Sequence, residues 1–169
     1  PYRDLGLPLP IAKYYAMCTW FDETCGQLIE LLEKRGLRDD TIIVYVTDNG
    51  WIQNPERNGY APRSKQTPYE GGIRTPIMFS WPNGNLKNGK RKDVVSSIDL
   101  FPTVLAAAGA RAPKGLPGLN LLENLRNEKP IKRKGIFGES FAHDVADVEN
   151  PEDSLSLIHI SEPTRRLRI

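Results

Sequence analysis

From Ile11 onward, apolar side chains fall at Ile11, Tyr14, Cys18, Phe21, Cys25, Leu28 and Leu32, in alternating steps of three and four. That spacing draws one apolar stripe along a helix. Pro10 suits the first turn, Lys34 and Arg35 suit the negative end of the helix dipole, and Gly36 suits a left-handed residue past the last turn. The helix predicted is therefore about Pro10 to Arg35, and a stripe that stops at Gly36 points to packing against a sheet rather than to a coiled coil. Thr41 to Thr47 is an unbroken β-branched and aromatic run, the pattern of a strand buried on both faces in a largely parallel sheet. Residues 50–72 then lose all periodicity, and a loop of about twenty residues is usually functional or disordered. Ile77 to Trp81 reads as a second strand closed by Pro82-Asn83-Gly84, and Asn85 to Asp93 as a polar, basic surface excursion. Asp99 is placed to cap a helix that runs through Leu100, Val104, Leu105 and Ala108 and stops at Gly109, with Pro102 tolerated in its first turn. A connection with one short helical turn near Leu119 to Leu125 follows, and Gly135 to Glu139 is a short third strand. Helix, strand, strand, helix, strand is the order of an α/β sandwich, a mostly parallel sheet flanked by helices.

Composition narrows the class. The chain has 169 residues, 39% apolar and 26% charged, which suits one globular domain and not a disordered segment. Its net charge is +2, and the last fifteen residues, with Arg165, Arg166 and Arg168 against Glu162, account for it. A nucleic-acid or anionic-membrane partner would call for a concentrated basic surface, so neither is indicated. No apolar run approaches the ~20 residues of a membrane span. The chain opens on Pro1 rather than Met, so the lack of a signal peptide says nothing of compartment. Cys18 and Cys25 on one helix stand about 10 Å apart, too far to bridge, and the isolated His143 and His159 give no zinc-binding spacing.

Two segments carry candidate chemistry. Asp48-Asn49-Gly50 follows the buried strand directly, at the edge of an α/β sheet where ligands bind. A carboxylate and an amide there can turn oxygens toward one calcium or magnesium ion, although Asp-Asn-Gly is also an ordinary turn tripeptide. Arg63 to Pro76 contains Lys65, the Gly71-Gly72 pair and Arg74, an inventory for binding an anion and equally that of a solvated basic loop.

Taken in order, these segments resemble the sulfatase family of the alkaline-phosphatase-like superfamily. The resemblance runs through Thr47-Asp48-Asn49-Gly50, Ser64-Lys65, Tyr69-Glu70-Gly71-Gly72-Ile73-Arg74-Thr75-Pro76, Ser97-Ile98-Asp99-Leu100-Phe101-Pro102-Thr103 and Gly115-Leu116-Pro117-Gly118, and covers roughly Pro10 to Asp153. It implies a partial alkaline-phosphatase-like sandwich, the middle and later part of a catalytic domain over residues 1–153. It further implies that Asp48 and Asn49 ligate a divalent cation, calcium with magnesium as the alternative, and that Lys65 contacts the sulfate. Cation and ammonium together would offset charge on the sulfate and on the leaving oxygen as the S–O bond breaks. Arg74 and His143 are candidate substrate-side residues, with loop-holding through a carboxylate the competing role for Arg74 and an exposed or structural histidine the competing reading of His143. Trp51 and Tyr60 in the long loop could line a substrate pocket or pack beneath the loop, and Glu139 has no settled role.

The family's nucleophile is a formylglycine within a Cys/Ser-x-Pro/Ala-x-Arg motif, and this sequence holds no such motif, since Cys18 leads into Thr19-Trp20-Phe21 and Cys25 into Gly26-Gln27-Leu28. The early Asp pair and the upstream Lys and His residues of the family are missing too, and two ligands alone leave a hard cation mostly hydrated. The chain by itself is therefore expected to be inactive. Residues 154–169 fit no expected continuation and read as a non-native tail, a sequencing or translation scar. The function implied is hydrolysis of sulfate esters, with a sulfated small molecule or carbohydrate as partner, in a periplasmic or secreted protein. The rivals are a phosphate or phosphonate ester hydrolase of the same superfamily and a non-catalytic, binding-only relative.

Overall fold

The structure, a computed structural model, describes residues 2–133, 135–136, 140–141 and 155–156. A 3-10 turn at Arg3–Leu5 leads into α1 (Leu9–Lys34), β1 (Ile43–Val46), the one-turn α2 (Glu70–Ile73) and β2 (Ile77–Ser80). Two more 3-10 turns, Pro82–Gly84 and Ser97–Asp99, precede α3 (Leu100–Ala107) and α4 (Leu122–Asn127), and two short strands follow, β3 (Ser140–Phe141) and β4 (Leu155–Ser156).

Helix α1 matches its sequence pattern to within a residue at either end. Pro10 lies in its first turn, where the missing N–H is not needed, and Gly36 takes a left-handed φ of +66° just past it. There the Gly36 N–H bonds to the Glu33 carbonyl at 2.9 Å and the Leu37 N–H to the Leu32 carbonyl at 2.9 Å, using carbonyls the helix end would otherwise leave open. The stripe does turn toward the sheet: the rings of Phe21 and Tyr45 stand 6.0 Å apart, and Tyr14, Cys18, Cys25 and Leu32 line an apolar groove of about 810 Å³ with Ile43 and Met78. Cys18 and Cys25 are both free. No helix among the described residues is long and apolar enough to cross a membrane.

The α/β class stands, but the strand pairing departs from the pattern. Among the described residues β1 and β2 run antiparallel, with Ile43 opposite Ser80 and Val46 opposite Ile77, and so do β3 and β4, where the sequence pattern predicts mostly parallel pairing. The cause lies in the connection. Just past the end of β1, the Gly50 N–H donates to the Gly72 carbonyl at 2.7 Å, so residues 51–71 close on themselves and the chain re-enters the sheet at the end it left. A parallel neighbour needs a crossover back to the opposite end, and the single turn of α2 does not supply one. β1 is also less covered than its run of apolar residues predicts: its first three residues are half-buried and Val46 is exposed, and an open groove separates Ile43, Val44 and Tyr45 from α1. The predicted third strand shifts as well. Gly135 and Ile136 are not in a strand, Lys134 and residues 137–139 lie outside the described residues, and the pairing segment is Ser140–Phe141, whose partner Leu155–Ser156 belongs to the stretch read as a tail.

The tightest part of the chain is polar at its centre. Asp99 and Thr103 are fully buried beside Leu121, Leu122 and Leu125. Asp99 does not cap α3 with its side chain. It instead closes a capping box with Ser96, whose N–H donates to Asp99 Oδ2 at 2.8 Å. Leu119 N–H donates to Oδ1 at 2.7 Å, and the Arg133 guanidinium spans both carboxylate oxygens at 2.6 and 2.8 Å. Thr103 Oγ1 donates to the Asp99 carbonyl at 2.6 Å and accepts from Leu121 N–H at 2.9 Å, so α3 is bound at two points to the 119–121 stretch. Gly118 is required there, because a Cβ would run into the Ile98 carbonyl.

Asn85 to Asp93 is largely exposed, as its polar sequence predicts, and a second polar tie anchors its end. Arg91 reaches inward to Asp93 at 2.7 Å and to the Asn124 and Lys129 carbonyls at 3.0 and 2.6 Å, and Asp93 accepts from Ile131 N–H at 2.8 Å. Burial pushes the Asp93 carboxyl up, but the Ile131 N–H and the Arg91 guanidinium outweigh it and hold the group below its ordinary value. A carboxyl lowered in the folded state contributes stability that is full above its unfolded pKa of roughly 3.9 and is lost as the pH falls through the folded value. Asp93→Asn is therefore expected to cost about 1 kcal/mol at neutral pH, with the gap to the parent chain closing as the pH drops below roughly 4. Urea midpoints measured at pH 7 and at pH 3 check this, and an equal gap at both would remove Asp93 as its source.

Candidate active site

The site grows from the end of β1. With the chain leaving the sheet at Val46, residues 48–50 sit where the 51–71 loop folds back, and Gly50 is buried against it. A Cβ at Gly50 would collide with the Gly71 carbonyl, and one at Gly72 with the Ser64 and Thr67 carbonyls, so both glycines are needed for the loop to close. Ser64 is the internal anchor. Fully buried, it accepts the Ile52 N–H on its hydroxyl at 2.6 Å, and its carbonyl accepts the Thr67 hydroxyl at 2.6 Å. The loop of 50–72 is thus ordered, with Gln53 bridging to Tyr60 and Ala61 N–H bonding to the Ile52 carbonyl at 2.7 Å.

Asp48 is exposed and Asn49 half-buried. The Asn49 N–H donates to Asp48 Oδ1 at 2.8 Å, and Asn49 Nδ2 donates to the Gly50 carbonyl at 2.9 Å. With the amide nitrogen engaged, Asn49 Oδ1 and the Asp48 carboxylate are the oxygens these adjacent residues can offer a ligand. Two oxygen donors from adjacent residues fit the chemistry of a hard cation such as calcium or magnesium. Among the described residues, no group of three or more His, Cys, Asp or Glu side chains gathers into a metal site.

Lys65 follows Ser64 and is carried by the same anchor. Its Nζ stands 5.9 Å from the centre of the Trp51 ring, and among the described residues no carboxylate pairs with it. Arg74 lies elsewhere. It bonds to Glu70 one turn earlier on α2 at 3.0 Å, both side chains half-exposed, a pair of the kind worth under ~1 kcal/mol. Arg74 and Asp48 share a cleft of about 160 Å³, with Thr47, Thr75, Ser96 and Ser97 adding hydroxyls around it. The structure therefore brings Asp48 and Arg74 to one cleft and Lys65 to the adjoining loop beside Trp51, while His143 and Glu139 lie outside the described residues. Sequence reasoning assigned no role to Ser64, Ser96 or Ser97. A serine beside a lysine or before a helix has many uses, and only the folded loop and the capping box reveal theirs.

The chain is similar in sequence and fold to known proteins. The sulfatase family model matches residues 9–110. Arylsulfatase K of Bos taurus is 35% identical over 125 residues, covering 72% of this chain and 22% of the relative. A solved structure described as BT4656 in complex with its substrate D-glucosamine-2-N,6-O-disulfate superposes with a TM-score of 0.63 at 31% identity, over 78% of this chain and 26% of the other. A phosphonate monoester hydrolase from Silicibacter pomeroyi superposes with a TM-score of 0.63 at 28% identity, over 83% and 28%. The chain spans about a quarter of the length of these relatives, and its fold is part of their alkaline-phosphatase-like α/β domain. A family match over more than half of the chain, centred on the segments that build the β1 edge, settles its membership: the chain belongs to the sulfatase family.

Proposed function

We propose that this chain is the cation- and sulfate-binding segment of an exported enzyme that hydrolyses sulfate esters of carbohydrates. The observation that carries the reading is the closed 50–72 loop, which supports on one framework two oxygen donors at Asp48 and Asn49 and, at Lys65, a cation with no carboxylate partner among the described residues. In this reading Asp48 and Asn49 would hold a calcium ion, which would supply positive charge to offset that of the sulfate. Lys65 binds the sulfate oxygens and offsets the charge that builds on them as the S–O bond breaks. Water takes the place of the alcohol on sulfur, so an ester R–O–SO₃⁻ yields R–OH and hydrogen sulfate. The nucleophile, a formylglycine, comes from residues outside this chain, which is why the chain alone does not turn over. The sulfated sugar bound by one structural relative supports a carbohydrate substrate.

A second reading rests on the likeness to the phosphonate monoester hydrolase, because phosphonate and sulfate monoesters are similar tetrahedral anions. Activity separates the two. In the complete enzyme carrying these residues, glucosamine 6-sulfate is expected to be cleaved in preference to an aryl phosphonate monoester, and Lys65→Ala to lower kcat/KM on the sulfate ester by about 10²-fold or more. Preference for the phosphonate would overturn the sulfatase reading in favour of the second, and an unchanged kcat/KM in Lys65→Ala would remove Lys65 from the sulfate site.

A further inference from the structure

Trp51 leaves the cation edge directly after Gly50, and it is not packed beneath its loop: Trp51 and Tyr60 are each 37% exposed. Their rings meet edge to face, with centroids 5.5 Å apart and planes at 71°. The polar ends of both rings are already engaged by the protein. The indole N–H donates to Gln53 Oε1 at 3.2 Å, and the Tyr60 hydroxyl donates to Gln66 Oε1 at 2.5 Å. Gln53 is itself fixed, its Nε2 donating to the Gly59 carbonyl at 2.8 Å, and its backbone bridges to Tyr60. What the pair offers a ligand is therefore apolar ring surface held in place, with the Lys65 ammonium 5.9 Å from the indole centre. An exposed aromatic corner is costly to leave in water, and an ammonium that stands over the indole and meets no carboxylate among the described residues can take an anion. One ligand class satisfies both at once: a ring with an apolar C–H face that carries an anionic ester.

We propose that Trp51, backed by Tyr60, is the platform on which the sugar ring of a sulfated carbohydrate stacks while its sulfate is held by Lys65. The proposal rests on the sulfate-site reading above and adds to it the residue that distinguishes a sulfated sugar from any other sulfate. Inorganic sulfate engages Lys65 alone, whereas glucosamine 6-sulfate engages Lys65 and Trp51.

Calorimetric titration of the complete enzyme carrying these residues, its nucleophile replaced by alanine so that nothing turns over, with glucosamine 6-sulfate, glucosamine and sodium sulfate tests it. Trp51→Ala is expected to weaken glucosamine 6-sulfate by about tenfold and inorganic sulfate by less than about twofold, and Trp51→Phe, which keeps an aromatic face, to recover most of the sugar affinity. Lys65→Ala is expected to weaken both sulfated ligands. Equal weakening of sugar and sulfate by Trp51→Ala, or none of either, overturns the platform while the sulfate site stands. Failure of Trp51→Phe to recover affinity overturns it as well, since a ring face is what the proposal requires. If neither sulfate nor the sulfated sugar binds the enzyme with Trp51 and Lys65 in place, the sulfate-site reading fails and the platform with it.

Discussion

Replacing Asp99 by Ala is expected to lower the unfolding free energy by about 3–5 kcal/mol. The carboxylate is fully buried and takes four hydrogen bonds, from Ser96 N–H, from Leu119 N–H and twice from Arg133. Removing it leaves two backbone donors without acceptors and a guanidinium, only 10% exposed, without its counter-charge. Unpaired buried charge costs far more than the pair itself contributes, because the desolvation is still present when the partner is gone. The same reasoning ranks the reciprocal change. Arg133→Met is expected to cost less, since Asp99 keeps both backbone donors. Urea denaturation of the 169-residue chain and its two variants reads the order directly, and a loss under about 1 kcal/mol for Asp99→Ala would show that α3 is held mainly by Leu121, Leu122 and Leu125 instead.

Gly50→Ala is the second large effect, and here the cost falls on the site. The added Cβ would collide with the Gly71 carbonyl and stand 3.1 Å from the Gly72 carbonyl carbon, both backbone atoms that cannot swing aside as a side chain can. Relief requires the loop to open at the Gly50–Gly72 hydrogen bond, the contact that returns the chain to β2. Overpacking of this kind costs about 1–3 kcal/mol. Its local signature is more specific than its size: amide hydrogen exchange across residues 50–72 is expected to speed up while α3 and α4 keep their protection. Gly26 supplies the control, because its Cβ would meet nothing within 4 Å and it lies inside α1, so Gly26→Ala is expected to stabilise by about 0.5–1 kcal/mol. Slower exchange in Gly50→Ala, or unchanged exchange across the loop, would mean that the close approach at Gly50 does not hold the site.

Much of this was legible in the residues. The step of three and four from Ile11 to Leu32 places α1 within a residue at each end, because a helix's period is written in every turn and Gly36 marks its stop by conformation alone. The runs at 41–47 and 77–81 find both central strands, and the order of motifs finds the family. The direction of β2 relative to β1 was not legible, because it depends on where residues 51–71 close, and the closing contact is a backbone bond between two glycines that carry no side-chain signal. Asp99 could be read as important but not as a partner of Arg133, 34 residues away across a stretch without periodicity.

The sequence by itself determined the elements and the donor types: an amphipathic helix, two apolar strands, and at Asp48, Asn49 and Lys65 two oxygen donors and an ammonium. These follow from local preferences that each residue carries wherever it sits. Only the tertiary structure decided that Ser64 anchors the loop, that Trp51 and Tyr60 stay half-open to solvent beside Lys65, and that Arg74 turns to Glu70. Those outcomes are set by which buried hydrogen bonds can be satisfied at once when the loop closes, and no residue carries that information alone.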